Sequence, residues 1–277
     1  LLGRFDSTNV VQPDVALITN IGKDHTDGAE GWREHVAAEK AGIIKPDVHV
    51  VLGDPMEDVR GVIDLEPRRD LWVAGTDFEV ESNLPAVGGR LVDIRTPTGR
   101  FEQLHVPFHG RHQGINLANA LAMVEAFFGR SVDQELVEEA VAGVELPARF
   151  EIASHDPLII LDGAHNPDGA RAAKETLDTE FARLGSWVLV MGMLAGKDPA
   201  EMLEALGAAD FDAVIVTQPN WSRAVPAAEI ADVADSLGIS TEVVLDANDA
   251  LGRARAVTAD DDLILVSGSL YVVGEVR

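Results

Sequence analysis

From Ala148 onward, short apolar segments alternate with helical patterns, and this alternation most limits what the chain can fold into. Five segments are predicted to be strands: Leu158–Leu161, Trp187–Met191, Ala213–Val216, Glu242–Leu245 and Leu263–Val266. Helical patterns lie between them, near residues 167–184, 199–208, 226–237 and 248–258. This order favours a parallel sheet with helices on both faces. The sequence therefore predicts a Rossmann-like α/β domain over residues 147–277.

Residues 1–146 have a different pattern and are predicted to form a separate α/β domain. The predicted elements are a buried strand at 14–19, a helix over 32–43, a strand at 48–52, antiparallel hairpins over 78–109 and a helix over 113–128. Gly88-Gly89 and Thr98-Gly99 are the expected hairpin turns. We place the domain boundary near Glu145-Leu146-Pro147, where a helical pattern gives way to strands.

Charge and composition exclude several classes of protein. A net charge of -25 would repel nucleic acids and anionic membranes, so neither is an expected partner. No run of eighteen apolar residues occurs, and the absence of Cys excludes disulfides and thiolate metal sites. We therefore expect a cytoplasmic, monomeric enzyme that acts on small molecules. The chain has only five lysines, which together with its charge favours a halophilic protein: Lys23, Lys40, Lys45, Lys174 and Lys197.

The strand at 158–161 runs into Asp162-Gly163-Ala164-His165-Asn166-Pro167, a polar loop before a helix that has Pro at its first position. Open parallel sheets bind ligands at the carboxyl ends of their strands, beside helix N-termini that suit anions. Asp162 and His165 are therefore candidate site residues. The structural alternative is that Asp162 holds the loop together and Asn166 only caps the helix.

Two more strands end in polar, glycine-bearing loops, at residues 191–198 and 267–271. Because the carboxyl ends of parallel strands share one edge of a sheet, the three loops should converge on one crevice. Alternatively, Ser267 and Ser269 are turn formers, and Asp198 caps the next helix.

In the first domain, a buried strand is followed by Ile21-Gly22-Lys23-Asp24-His25-Thr26-Asp27, a set of side chains that can hold a hard cation. Lys40 ends a helix before Gly42 and Pro46, where by default a lysine complements the helix carboxyl terminus.

His112, Asn116 and Asn119 form a polar stripe along an otherwise apolar helix. Polar groups on so apolar a helix need partners, and Asn116 is either a satisfied core amide or a contact for an adenine or ribose edge. Arg149, at the domain junction, either reaches phosphates or braces the domains.

Taken together, eight sequence blocks resemble the dihydrofolate synthase/folylpolyglutamate synthase family of the Mur ligase superfamily. They occur in family order along the whole chain: Gly3–Asn9, Asp24-His25, Glu39–Ile43, His112–Asn116, Arg149–Glu151, Asp162–Pro167, Gly192–Asp198 and Ser267–Tyr271. The resemblance implies that residues 1–146 are the remainder of a Mur-ligase-type central ATPase domain. It implies that residues 147–277 are the C-terminal glutamate ligase domain.

The resemblance also implies a reaction and its site residues. ATP phosphorylates a pteroate or folate carboxylate, and the glutamate amine attacks the acyl phosphate to give an amide. His25 matches a magnesium ligand, and Lys40 matches a lysine whose carbamate binds the second Mg²⁺. Asp6 matches the contact to the pterin. The remaining matches are Asn116, Arg149 and Asp162 for ATP, and His165 and Ser267 beside the incoming glutamate.

Two family features have no counterpart after Leu1: the Gly-rich phosphate loop and a magnesium-ligand glutamate. We therefore expect residues 1–277 to be a fragment without turnover of its own. The alternatives are another Mur-type amino-acid ligase and a non-catalytic nucleotide-binding fragment. The Gly3–Asn9 block disfavours another Mur-type amino-acid ligase. Within the folate family, addition of the first glutamate and extension of the glutamate chain both stay open.

Overall fold

We describe the protein from a computed structural model, which describes residues 3–23 and 28–277. The chain divides into two compact units. The N-terminal unit comprises residues 1–107 and 111–144, and the C-terminal unit comprises residues 108–110 and 145–277. In the described part of the chain, no helix is both long enough and apolar enough to span a membrane.

The N-terminal unit contains a three-stranded parallel sheet of consecutive strands: β1 (Val15–Ile18), β2 (His49–Leu52) and β3 (Asp70–Val73). Two helices connect these strands: α1 (Trp32–Ala41) and α2 (Arg60–Ile63). Every residue of β2 is buried because β2 is the central strand, and its side chains pack with Val36 and Ala37 of α1. β3 and α2 were not predicted, since β3 is an edge strand in which only Val73 is buried and α2 is a single turn in which only Ile63 is buried.

A second sheet of the N-terminal unit is antiparallel, as the hairpin pattern predicts. Its strands are β4 (Glu79–Ala86), β5 (Gly89–Arg95) and β6 (Arg100–Val106). The long helix α3 (Arg111–Phe128) packs against β1, β2 and β4, and α4 (Gln134–Ala142) against β6. α3 thus holds the two sheets of this unit together.

The C-terminal unit is built on one six-stranded sheet, in the order β11-β10-β9-β12-β8-β7. The strands are β7 (Glu151–His155), β8 (Leu158–Leu161), β9 (Trp187–Met191), β10 (Ala213–Val216), β11 (Thr241–Val243) and β12 (Leu263–Ser267). All five predicted strands are present, although β11 is shorter than expected. The addition is β7, an edge strand that pairs with β8 in the antiparallel direction, so the sheet is not wholly parallel.

Five helices belong to this unit: α5 (Pro167–Glu180), α6 (Pro199–Ala205), α7 (Ala227–Ser236), α8 (Ala247–Ala256) and α9 (Leu270–Val276). Successive strand residues point to opposite faces, so Ile160 and Leu189 pack with α5, α6 and α7. Ile159 and Val188 pack with α8 and α9 on the other face. The helices on both faces were predicted from the alternation of strands and helices.

Candidate functional site

Three polar loops of the C-terminal unit follow β8, β12 and β9, which are neighbours in the sheet. Because these three strands are parallel to one another, their loops leave the same edge of the sheet. The three loops therefore share one edge of the sheet, as expected, and a crevice formed by them stays a prediction.

Asp162 begins the loop after β8 and is buried, with 8% of the residue exposed. One carboxylate oxygen accepts the N–H of Ala164 at 2.9 Å, and the other accepts the N–H of Phe150 at 3.0 Å. Burial raises the pKa of this carboxyl. The two backbone N–H groups lower it, and so do the electrostatic interactions with Arg149 and His165. Asp162 does hold the loop together, and a contact with ATP stays a prediction.

His165 lies on the same loop with its ring exposed. Its Nδ1 lies 3.0 Å from the Gly163 carbonyl oxygen. A carbonyl only accepts hydrogen bonds, so this contact assigns the proton to Nδ1 and leaves Nε2 as an acceptor in the neutral ring. Asn166 caps α5 by accepting the N–H of Gly169 at 2.8 Å, as the structural alternative for this residue expects.

The loop after β12 packs closely against the loop after β9. A side chain at Gly268 would place its Cβ 2.6 Å from the Gly192 carbonyl oxygen, and Gly268 has a φ of +95°. Ser269 caps α9, which agrees with an ordinary structural role. Ser267 is fully buried, and its hydroxyl has no hydrogen-bond partner among the described residues. Its contact with glutamate stays a prediction. On the β9 loop, Asp198 caps α6.

Arg149 is exposed in the turn before β7. Among the residues that the structure describes, its guanidinium has no hydrogen-bond or ion-pair partner. It is therefore available to an anion, and nothing within the C-terminal unit uses it as a brace.

In the N-terminal unit, the segment that carries Asp6 packs on the end of α1. A Cβ at Gly3 would lie 2.5 Å from the Glu39 carbonyl oxygen, and a Cβ at Gly42 would lie 2.5 Å from the Cα of Arg4. The Arg4 N–H donates to the Glu39 carbonyl oxygen at 2.8 Å. Only glycines permit so close an approach, and it brings the Asp6 segment and the Lys40 helix together.

Asp6 Oδ1 accepts the N–H of Thr8 at 2.8 Å and its hydroxyl at 2.6 Å. These hydrogen bonds lower the pKa of the Asp6 carboxyl well below its usual range. Asp6 is therefore an ionised acceptor at neutral pH, as a contact to ring N–H groups requires.

Lys40 is half-buried in the last turn of α1, before Gly42 as predicted. In the described part of the chain its amine has no hydrogen bond or ion pair. The Nζ of Lys45 instead donates to the Gly42 carbonyl oxygen at 3.1 Å. Lys45 thus supplies the direct hydrogen bond at the helix end, while Lys40 lies in the last turn, where its charge complements the helix carboxyl terminus.

The predicted metal ligand His25 lies outside the described residues, as do Asp24 and Asp27. No group of three His, Asp or Glu side chains that could hold a metal ion occurs within residues 3–23 and 28–277. Lys40 is therefore the one predicted metal residue whose surroundings can be described.

Along α3, exposure separates two residues of the predicted polar stripe. Asn116 is exposed, and its Nδ2 donates to Gln113 at 3.1 Å, so it is not a core amide. The buried amide is Asn119, which is 2% exposed and packs against Gly53. Its Oδ1 has no partner among the described residues. Asn116 is thus the accessible one of these two amides.

Glu151 had no predicted role beyond its place in a family block. Its carboxylate accepts the N–H of Ala148 at 2.9 Å and pairs with the Arg277 Nε at 3.0 and 3.1 Å. The chain has 47 acidic residues, and apart from that block no feature of the sequence distinguishes Glu151 among them.

The Mur ligase middle domain model matches residues 2–124, and the Mur ligase glutamate ligase domain model matches residues 148–270. The two matches and the fold place the chain in the class of Mur ligases. It is 34% identical to the dihydrofolate synthase/folylpolyglutamate synthase of Mycobacterium tuberculosis, over 99% of this chain and 62% of the relative. The chain belongs to the dihydrofolate synthase/folylpolyglutamate synthase family.

Two solved structures are similar over nearly the whole chain. The folylpolyglutamate synthase of Mycobacterium tuberculosis, complexed with ADP and AMPPCP, has a TM-score of 0.90 and 33% identity, over 99% of this chain and 65% of that one. The second is the bifunctional folylpolyglutamate synthase/dihydrofolate synthase of Yersinia pestis, complexed with AMPPNP and a Mn ion. It has a TM-score of 0.85 and 28% identity, over 100% of this chain and 63% of that one. The chain spans less than two thirds of the length of each relative.

Proposed function

We propose that the protein acts in an ATP-dependent ligase that joins L-glutamate to dihydropteroate or to folate polyglutamates. The observation that carries the proposal is made at the loop edge of the C-terminal unit. Among the described residues, the Arg149 guanidinium has no hydrogen-bond or ion-pair partner there, and the Nε2 of His165 has none either. A guanidinium suits phosphate groups, and a neutral imidazole suits proton transfer from an amine.

The residues divide by substrate. Asn116, Arg149 and Asp162 contact ATP, and Arg149 faces its phosphates. Asp6 accepts hydrogen bonds from the pterin ring. Ser267 and His165 serve the glutamate side, where the Nε2 of His165 accepts a proton from the attacking amine. The folate carboxylate oxygen bonds to the γ-phosphorus as ADP leaves, and the amine nitrogen then bonds to the acyl carbon as phosphate leaves.

Magnesium is the proposed metal, with His25 and the carbamate of Lys40 as ligands. A bound divalent cation neutralises charge that develops on the transferred phosphoryl group. The half-buried amine of Lys40 has no hydrogen bond or ion pair among the described residues, so no neighbour there competes with carbon dioxide for its nitrogen. The nucleotide- and manganese-bound relatives support this choice of cofactors.

We also propose the domain assignment of residues 1–146 to the central ATPase domain and 147–277 to the glutamate ligase domain. We further propose that the protein is cytoplasmic and monomeric, as expected of an enzyme that acts on small molecules.

The direct test measures phosphate release and amide product with ATP, Mg²⁺, glutamate and dihydropteroate, using the protein in its complete natural form. We expect product with dihydropteroate or folate and none with a UDP-muramyl substrate. Product only with the UDP-muramyl substrate would identify another Mur-type ligase. ATP binding without product from either acceptor would identify a non-catalytic nucleotide-binding protein.

Asp162→Ala and His165→Ala are expected to fail differently. Loss of a hydrogen bond to an ionised carboxylate costs about 1.5–3 kcal/mol, so Asp162→Ala should weaken ATP binding roughly 10- to 150-fold. It should also lower the Tm, because two backbone N–H groups lose their acceptor. His165→Ala should keep ATP affinity and Tm but raise the KM for glutamate, lower kcat, or both. Calorimetry and phosphate release measure these quantities.

Asp246→Ala is the matched control, since Asp246 also accepts two backbone N–H groups but follows β11, at the far side of the sheet. It should lower the Tm and leave ATP affinity unchanged. Equal losses of ATP affinity in the Asp162 and Asp246 variants would reduce Asp162 to a structural role. If the Asp162 and His165 variants lose ATP affinity, glutamate-dependent activity and Tm in parallel, both residues have only a structural role.

We propose adaptation to high salt from the net charge of -25 and the five lysines. At roughly 1 M salt the Debye length falls to about 3 Å, which screens repulsion among surface carboxylates. The Tm should therefore rise as KCl increases from dilute to molar. A Tm that is flat or falls over this range rejects the adaptation.

A further inference from the structure

The turn before β7 holds two non-glycine residues in the left-handed backbone region. Ala148 has a φ of +57° and Phe150 a φ of +54°, one on each side of Arg149. Residues with a Cβ rarely adopt this region, and bulky ones least of all. Such conformations persist where the surroundings hold them and are concentrated at functional sites.

Each strained residue is held by a carboxylate. The N–H of Phe150 donates to Asp162 at 3.0 Å, and the N–H of Ala148 donates to Glu151 at 2.9 Å. The carbonyl oxygen of Ala148 also accepts the N–H of Gly163, at 2.8 Å. The turn is therefore fixed on both sides of Arg149.

Glu151 is itself oriented by Arg277. The Arg277 Nε lies 3.0 and 3.1 Å from the two oxygens of the Glu151 carboxylate. Arg277 follows α9, the helix that begins directly after the loop 267–269. One carboxylate thus connects the strained turn to the end of the helix that follows this site loop.

We propose that Glu151 is a positioning residue: together with Arg277 it holds Ala148 in the left-handed conformation and so directs the Arg149 guanidinium toward the nucleotide phosphates. The inference rests on the proposed function for its ligand. Glu151 does not contact the nucleotide itself. Its effect on nucleotide binding passes through the backbone of Ala148. A residue that only stabilises the fold would have no such specific route to Arg149.

This route predicts a specific rescue. Glycine reaches the left-handed region without the Cβ penalty, so Ala148→Gly should remove the need for the Glu151 carboxylate. Glu151→Ala should weaken binding of the ATP analogue AMPPNP by about 5- to 30-fold, the equivalent of one left-handed residue. Glu151→Ala with Ala148→Gly should bind within about 3-fold of the unaltered protein.

The experiment measures AMPPNP affinity by calorimetry and hydrogen exchange of the Ala148 amide, in the complete natural protein. Glu242→Ala is the matched control, because Glu242 forms an equally close pair with the Arg253 Nε, at 2.8 and 3.0 Å, on the edge strand β11. It should leave both readouts unchanged. Glu151→Gln keeps an oxygen acceptor, so its AMPPNP affinity should lie between that of the unaltered protein and that of Glu151→Ala. This variant keeps the test usable if Glu151→Ala does not fold.

Unchanged affinity in both Glu151 variants overturns the inference, and so does a double variant that remains as weak as Glu151→Ala. If the unaltered protein does not bind AMPPNP, the proposed function fails. Faster exchange of the Ala148 amide in Glu151→Ala would then still show that Glu151 holds the turn, and unchanged exchange would overturn that as well.

Discussion

Lys40→Ala is expected to reduce ligase turnover at least about 100-fold while the fold stays intact. The proposal makes Lys40 a carbamate ligand of the metal, and even residues that only orient metal ligands contribute about 10- to 100-fold. A helix-end charge contributes only about 0.3–1 kcal/mol to stability. Turnover is measured by phosphate release and the fold by Tm. Short carboxylates such as acetate should restore part of the activity, because they can occupy the place of the carbamate.

Lys45→Ala is the control for Lys40→Ala, since Lys45 is the lysine that donates to the Gly42 carbonyl oxygen at the end of α1. It should lower the Tm slightly and retain turnover. Wild-type turnover in Lys40→Ala, or equal losses in the two variants, would leave Lys40 with a helix-end role alone.

Gly268→Ala should be among the most destabilising single changes in the C-terminal unit. The left-handed region costs an L-residue about 1–2 kcal/mol, and overpacking adds about 1–3 kcal/mol. Both apply at Gly268, where the new Cβ would meet the Gly192 carbonyl oxygen at 2.6 Å. We expect a loss of about 2–5 kcal/mol in the free energy of unfolding, measured by urea denaturation with an unchanged m-value.

Gly238→Ala separates the two contributions. Gly238 has a φ of +76°, but a Cβ there would meet nothing within 4 Å. This variant should lose only the backbone contribution, about 1–2 kcal/mol. Equal losses at Gly238 and Gly268 would contradict the close packing of the loops after β9 and β12.

The buried strands were predictable because their signal is local. Leu158–Leu161 and Leu263–Val266 are continuous apolar runs, which is what a strand covered on both faces requires. The edge strands carry a weaker signal, since solvent tolerates polar residues there. For this reason the bounds of β11 differ from the prediction, and β7 was missed.

The candidate site was predictable in part for the same reason. Asp162 and His165 follow a buried strand and precede a helix with Pro at its first position, so their place at the sheet edge follows from adjacent residues. Their partners do not. The contact of Asp162 with the N–H of Phe150 depends on how β7 pairs with β8, and no local pattern encodes it.

The sequence alone determined the alternation of strands and helices, the loops that carry polar side chains and the family blocks, because each depends on residues that are close in the chain. Tertiary structure decided which of those side chains are available. It buried Asn119 rather than Asn116, buried Ser267, left Arg149 and Lys40 without partners among the described residues and gave the hydrogen bond at the end of α1 to Lys45. It also paired Glu151 with Arg277, 126 residues away. Exposure and long-range pairing depend on how distant segments pack together, and periodicity along the chain carries no record of that packing.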